Sequence, residues 1–228
     1  MLKLYNFNYI YNKISFNNRK FIKNLMSDDE DDSPDTIKAI ILGETGVGKT
    51  NLINAVKGVN FNQNTESTIT MNCLKKTMII YEQNYKIKIW DTAGQEKFRA
   101  LNKLYYKDAK VVLLVYDITN KKSFDALREY WLNEIKTALG DEPVLGLVGN
   151  KTDLSNNKEV GENEAQKFAE DNNLKFKLCS SKDDPKNFNL FLRSLVKEYI
   201  KKRKKDKKIE RFELEKYEEG GQGSCISL

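Results

Sequence analysis

The sequence predicts an α/β domain: a six-stranded, mostly parallel sheet with one antiparallel edge strand and helices on both faces. Three observations carry that prediction. Strand-like runs near 36–42, 70–81, 85–90, 110–116, 143–149 and 174–179 alternate with helical patterns near 49–58, 122–138, 161–171 and 186–204. Glu82-Gln83-Asn84 joins the second and third runs closely enough for an antiparallel hairpin, while the other runs need helical crossovers and so should be parallel. Gly43-Glu44-Thr45-Gly46-Val47-Gly48-Lys49-Thr50 fits G-x-x-x-x-G-K-[ST] between a strand and a helix, the order a phosphate-binding loop requires.

Ile40, Ile41 and Leu42 supply the strand before that loop, and Leu52, Ile53 and Val56, three or four apart, supply the helix after it. Backbone N–H groups in such a loop point inward and the helix N-terminus adds partial positive charge, so a polyphosphate can sit there. Gly43, Gly46 and Gly48 allow close backbone approach, Lys49 reaches the β- and γ-phosphates, and the Thr50 hydroxyl suits Mg²⁺.

The alternating segment Tyr85-Lys86-Ile87-Lys88-Ile89 reads as a strand ending at Asp91. A carboxylate at a strand end beside a phosphate loop suits the second shell of Mg²⁺, because that small hard ion keeps waters that need acceptors. In Trp90-Asp91-Thr92-Ala93-Gly94-Gln95-Glu96, Gly94 could offer a backbone N–H to a γ-phosphate and Gln95 could orient an attacking water. A plain strand-to-turn junction is the alternative, and the upstream loop argues against it.

The apolar run Val144 to Gly149 leads into Asn150-Lys151-Thr152-Asp153. The Asp153 carboxylate can accept from the N1–H and exocyclic amine of guanine, whereas adenine presents the wrong pattern, so the base should be guanine. Ser180-Ser181-Lys182, after the Leu174 to Cys179 strand, is a third loop able to close over a base; alone it would read as a polar turn before Pro185. Phe124, Leu127, Trp131 and Ile135 repeat at helical spacing, which reads Trp131 as core packing.

The phosphate loop GETGVGKT, the segment WDTAGQEKFR, the strand LVYDIT (Leu114 to Thr119), NKTD and SSK stand in an order and spacing that resemble a small GTPase of the Ras superfamily, most closely the Rab family. The resemblance covers about residues 36 to 200 and implies a P-loop GTPase domain that binds GTP and GDP with Mg²⁺. It implies that Phe61 stacks on the guanine and that Thr68 in switch I ligates Mg²⁺ and touches the γ-phosphate. The metal set would then be Thr50 and Thr68, with Asp91 in the second shell, and the hydrolytic set Gln95 and Lys49. Trp90 before DTAGQE and the segment Tyr105-Tyr106-Lys107 resemble Rab rather than Ras proteins. The short stretch from Asp153 to Gly161 leaves no room for the extra helix of Rho proteins, and Leu2 excludes the N-terminal glycine of Arf-type myristoylation.

Two departures bear on partners. Ile69-Thr70-Met71-Asn72-Cys73 stands where Rab proteins have an IGVDF-like segment, so Cys73 replaces a large aromatic that joins Trp90 and a switch II tyrosine on the effector face. Ser181 replaces the alanine of the SAK loop, a milder change because that contact is made by the backbone. The implied function is a GTP/GDP switch that hydrolyses GTP slowly, needs an activating protein and an exchange factor, and recruits effectors through switch I (about 59–73) and switch II (about 91–107) in vesicle or membrane trafficking. A GTP-loaded scaffold that hardly cycles, favoured by the odd switch I and by Thr45, and a Ras-like signalling GTPase are the alternatives. NKTD disfavours a P-loop kinase or ATPase.

One set of nucleotide motifs in 228 residues implies one monomeric domain at 36–200, with flanks at 1–35 and 201–228. Cys73, Cys179 and Cys225 form no even framework, which points to a reducing cytosol. No apolar run approaches the ~20 residues needed to cross a bilayer. Residues 1–25 carry five Lys or Arg and no acid. They read as a targeting segment, a disordered extension, or a start placed ahead of Met26-Ser27-Asp28-Asp29-Glu30.

At the other end the basic run Lys201 to Lys208 extends the last helix, Glu210, Glu213, Glu215, Glu218 and Glu219 follow, and Gly220 to Ser224 form a tether. Cys225-Ile226-Ser227-Leu228 reads as a C-a-a-X prenylation signal whose final Leu favours geranylgeranyl, although Ser227 stands where an aliphatic residue is usual. A prenyl group at Cys225 plus the basic run suits reversible binding to the cytoplasmic face of an intracellular membrane, cycling with the cytosol. The net charge of +6 resides in the flanks and no base-reading motif accompanies it, which argues against nucleic acid.

Overall fold

The computed structural model describes residues 33, 35–62, 68, 72–92 and 106–220, the side chains of 207 and 210–220 excepted. The readings made for residues 1–25, for Ile69 to Met71, and for Gly94, Gln95, Tyr105 and Cys225 lie outside the described residues.

The chain runs β1 (Thr36–Leu42), α1 (Lys49–Lys57), β2 (Asn72–Ile80), β3 (Gln83–Asp91), β4 (Val111–Asp117) and α2 (Lys121–Ala126). A π-helical turn, Leu127–Trp131, carries α2 into α3 (Leu132–Leu139). After these come β5 (Val144–Asn150), a 3-10 turn (Thr152–Asn157), α4 (Glu162–Asp171), β6 (Lys175–Leu178) and α5 (Pro185–Gly220). The sheet order is β2-β3-β1-β4-β5-β6. β2 and β3 pair antiparallel at the edge, while β1 with β4, β4 with β5, and β5 with β6 pair parallel. This is the anticipated sheet, and it follows from connection length: only the β2–β3 link is too short for a crossover.

One face buries Ile37, Ala39, Ile41, Val111, Leu113 and Val115 against Leu52, Ile53 and Val56 of α1 and Phe188, Leu192, Leu195 and Val196 of α5. Each such side chain contributes about 1.5–3 kcal/mol by leaving water. Gly146 makes the α5 contact close: a Cβ there would lie 2.7 Å from Leu195 and 3.2 Å from Phe191. On the other face Phe124 packs edge-on to Tyr116 at 4.9 Å and to Phe168 at 5.4 Å. The carboxyl ends of β1, β3, β4, β5 and β6 each lead into a segment singled out from the sequence, so the open α/β sheet gathers them where such sheets hold ligands.

Two elements differ from the sequence reading. The hairpin turn is Tyr81-Glu82 rather than Glu82-Gln83-Asn84, because Gln83 already pairs with Ile80. Both turn residues have positive φ, 51° and 63°. That is the mirror-image turn whose twist suits adjacent strands; it is usually written with Asn or Gly, neither of which marks it here. The last helix reaches Gly220 instead of stopping near 204. Lys, Arg, Glu and Leu are strong helix formers, and the first glycine after Pro185 is Gly220, so the span expected to be a flexible tail is helical that far. The start of the basic run is fastened to the domain. Lys202 Nζ donates to the carbonyls of Asp141 at 2.7 Å and Glu142 at 3.0 Å, and Lys204 Nζ lies 5.6 Å from the Tyr81 ring centroid. Among the described residues no helix is long and apolar enough to cross a membrane.

Candidate functional site

The phosphate loop closes between β1 and α1. Gly43 has φ 143° and a Cβ there would sit 2.2 Å from the Val115 carbonyl oxygen, so only glycine lets the loop leave the sheet at this point. Lys49, the first residue of α1, is buried, and its Nζ donates to the carbonyls of Gly43 at 2.9 Å and Glu44 at 2.8 Å. The ammonium therefore lies across the mouth of the loop. Thr45 and Gly46 are exposed and Val47 is buried beneath them.

One residue on, Thr50 Oγ1 donates to Asp91 Oδ2 at 2.8 Å and lies 2.7 Å from Thr68 Oγ1. Three segments far apart in sequence thus bring two hydroxyls and a carboxylate together. Asp91 Oδ1 is buried and has no hydrogen-bond partner among the described residues. Thr92, the next residue, is pinned by donating from Oγ1 to the Ile41 carbonyl at 2.6 Å.

The second half of the site lies at the ends of β4, β5 and β6. Asn150 is fully buried; its Nδ2 donates to the Val47 carbonyl at 2.9 Å and its Oδ1 accepts from Ser181 N at 3.3 Å. A Cβ on Gly48 would stand 2.3 Å from that Nδ2, so glycine is required for the two loops to meet. Lys151 adopts φ 68° and pairs through Nζ with Asp117 Oδ2 at 2.6 Å. Asp117 is itself oriented by the Thr119 N–H at 2.9 Å and Thr119 Oγ1 at 2.7 Å, both donated to Oδ1. Ser180 Oγ donates to Asp153 Oδ1 at 2.6 Å and accepts from the Lys182 and Asp183 N–H groups at 3.2 and 2.9 Å. Phe61, in the segment after α1, is about one-third exposed at 37%.

The model of the Ras family matches residues 38–201, most of the chain and the whole of this site. The chain is 40% identical over 154 residues to the GTP-binding protein ypt3 of Schizosaccharomyces pombe, which spans 68% of this chain and 72% of that protein. It is 38% identical over 191 residues to the Ras-related protein Rab-26 of Bos taurus, covering 82% of this chain and 74% of the relative. With Rab-21 of Geodia cydonium the figures are 39% over 155 residues, 68% and 67%.

The chain belongs to the Ras family, in its Rab branch. It is therefore a small GTPase that hydrolyses GTP and acts in membrane trafficking. Members of this family bind GTP and GDP, generally with Mg²⁺, and work through regulators and effectors.

In this Rab-type GTPase burial lowers Lys49 to about 8, against the pull of Asp91 and Glu44. A bound polyphosphate would supply the opposite charge that the buried ammonium lacks. Burial likewise raises the Asp91 carboxyl, opposed by the Thr50 hydrogen bond and by Lys49. The chemistry of the cluster fits a small hard cation: every donor is an oxygen, and the orphaned Asp91 Oδ1 is the kind of acceptor that a metal-bound water would satisfy.

The sequence reading missed the site roles of Asp117 and Trp131 and one of the two roles of Asn150. Asp117 was legible only as part of LVYDIT, with no signal for its pairing with Lys151. Trp131, read as core, is indeed fully buried, yet its Nε1 also donates to Glu44 Oε1 of the phosphate loop at 2.9 Å. Asn150 was read as part of a base loop, and nothing local announced that it also grips the phosphate loop.

Proposed function

We propose that this GTPase takes guanine nucleotide between the two halves of the site. In this reading the Gly43–Thr50 loop cradles the phosphates, Phe61, Asn150, Lys151, Asp153, Ser180, Ser181 and Lys182 enclose the base, and Lys49 answers the β- and γ-phosphate charge. Thr50 and Thr68 would hold Mg²⁺ directly and Asp91 through water. Held by these residues, the ion would supply positive charge against the charge that develops in phosphoryl transfer. The observation that carries the reading is the cluster of Thr50, Thr68 and Asp91 beside the buried Lys49, because Thr68 reaches that cluster from switch I. Thr68 and Gly94 hold the two switches while the γ-phosphate is present and release them after hydrolysis, in which Gln95 orients the water. An exchange factor, an activating protein and effectors would act on the monomer through switches I and II.

Thr50→Asn tests this. The amide cannot replace a hydroxyl at a site with short octahedral distances, so Mg²⁺-dependent GTP affinity should fall by roughly 100-fold, leaving a GDP-bound or empty form. Titration of labelled GTP at several Mg²⁺ concentrations measures it. An unchanged Mg²⁺ dependence would remove Thr50 from the metal set.

The same reading places the protein reversibly on a cytoplasmic membrane face through a prenylated Cys225. The basic run supports it in a narrower form than the sequence suggested: all of Lys201, Lys202, Lys204, Lys205 and Lys208 are exposed, but Lys202 and Lys204 also contact the domain. Cys225→Ser should leave the protein in the soluble fraction at any salt. Replacing Lys201, Lys205 and Lys208 with glutamine should shift lipidated protein only partly, and most on anionic membranes. Fractionation with intact mass spectrometry decides between them; a membrane-bound protein with an unmodified Cys225 would end the anchor assignment.

A further inference from the structure

Trp131 closes the π-helical turn between α2 and α3, and its indole N–H is bonded to the side chain of Glu44. Trp131 is buried with Phe124, Leu127 and Ile135, and from that position in the turn its indole also reaches the loop. Its indole is held edge-on by the Tyr130 ring, 5.2 Å away at 80°. Among its contacts with described residues, the Glu44 side chain accepts from the helix and its carbonyl accepts from Lys49 Nζ at 2.8 Å. The carboxylate also acts on the Lys49 charge through space.

We propose that Trp131 is a positioning residue for nucleotide binding, and that its N–H directs the Glu44 carboxylate to the helix side of the phosphate loop. The loop otherwise offers inward N–H groups and a buried ammonium, all suited to an anion. A carboxylate in the same loop has the wrong sign for that ligand, and a charge-assisted hydrogen bond from the indole fixes where the negative charge lies. Without the bond, Glu44 competes with the phosphates for Lys49. This inference rests on the guanine-nucleotide reading above.

The full chain is loaded with fluorescently labelled GDP and release is timed. Trp131→Phe keeps an aromatic ring in the core while removing the donor and part of the buried indole, so release should be about tenfold faster, the scale of one hydrogen bond to a charged group. Glu44→Gln in the Trp131→Phe background removes the carboxylate charge and should bring release back to within about twofold of Glu44→Gln alone. A role in packing only would show no such rescue, because the ring has the same space in both backgrounds. Wild-type release from Trp131→Phe, or a double variant that releases GDP as fast as Trp131→Phe, overturns the inference. A wild-type chain with no affinity for GDP overturns the guanine-nucleotide reading as well.

Discussion

Asp153→Asn should exchange the preferred base, losing GDP affinity by ~10⁴-fold and gaining affinity for xanthosine diphosphate, on the scale by which sites built around a buried polar contact reject the wrong analogue. Ser180 fixes how Asp153 meets the base. Its hydroxyl occupies one lone pair of Asp153 Oδ1 and is itself fixed by two backbone N–H groups, so the carboxylate is presented in one direction. Guanine offers that carboxylate two donors, the N1–H and the amine. An asparagine offers one acceptor and one donor, which suits xanthine, with a carbonyl where guanine carries the amine. Competition between the two diphosphates for the purified variant reads the switch directly. A variant that keeps its GDP affinity and gains none for the xanthine nucleotide would place the base elsewhere.

Gln95→Leu should bind GTP as the wild type does and yet lose stimulated hydrolysis by about 10³- to 10⁵-fold, the range that activating arginines supply in the related Ras and Gα proteins. Leucine fills similar space but cannot orient a water. The basal rate should change far less, because nothing in the sequence identifies an arginine finger in cis and the intrinsic reaction should already be slow. Single-turnover assays with and without cell extract separate the two rates. They also discriminate a cycling switch from a GTP-loaded scaffold, since only the former accelerates. Equal stimulated turnover in wild type and variant would take Gln95 out of the reaction.

Local chemistry decided what could be read beforehand. Gly43, Gly46, Gly48 and Lys49 announce a phosphate loop because their backbone and charge requirements are contiguous, and the parallel or antiparallel sense of the strands follows from connection lengths. The parts that escaped depend on residues that meet only after folding. Lys151 finds Asp117 from a neighbouring strand end, and Glu44 finds Trp131 through a helical turn whose irregularity leaves no mark in an apolar repeat. The Tyr81-Glu82 turn escaped because its conformation is imposed by the strands on either side rather than by turn-forming residues. The length of α5 escaped for a different reason: its charged residues suggested a solvated tail, although the same residues are good helix formers.

Asn150 ties the phosphate loop to the base-side loop through a single buried amide, with Gly48 pressed against it. Two half-sites joined in this way do not loosen independently. Movement of the Val47 carbonyl withdraws the acceptor that orients Asn150, and the Ser181 contact is then lost with it. If guanine nucleotide binds as proposed, the coupling is reciprocal: whatever the base contributes to ordering Asn150 would also be felt at the phosphates, and by the same factor in the other direction. A nucleoside without phosphates, or a pyrophosphate without a base, should each bind more weakly than its share of the contacts suggests. On the proposed reading, a partner that speeds nucleotide exchange would need to disturb only one end of the ligand to weaken its hold at both.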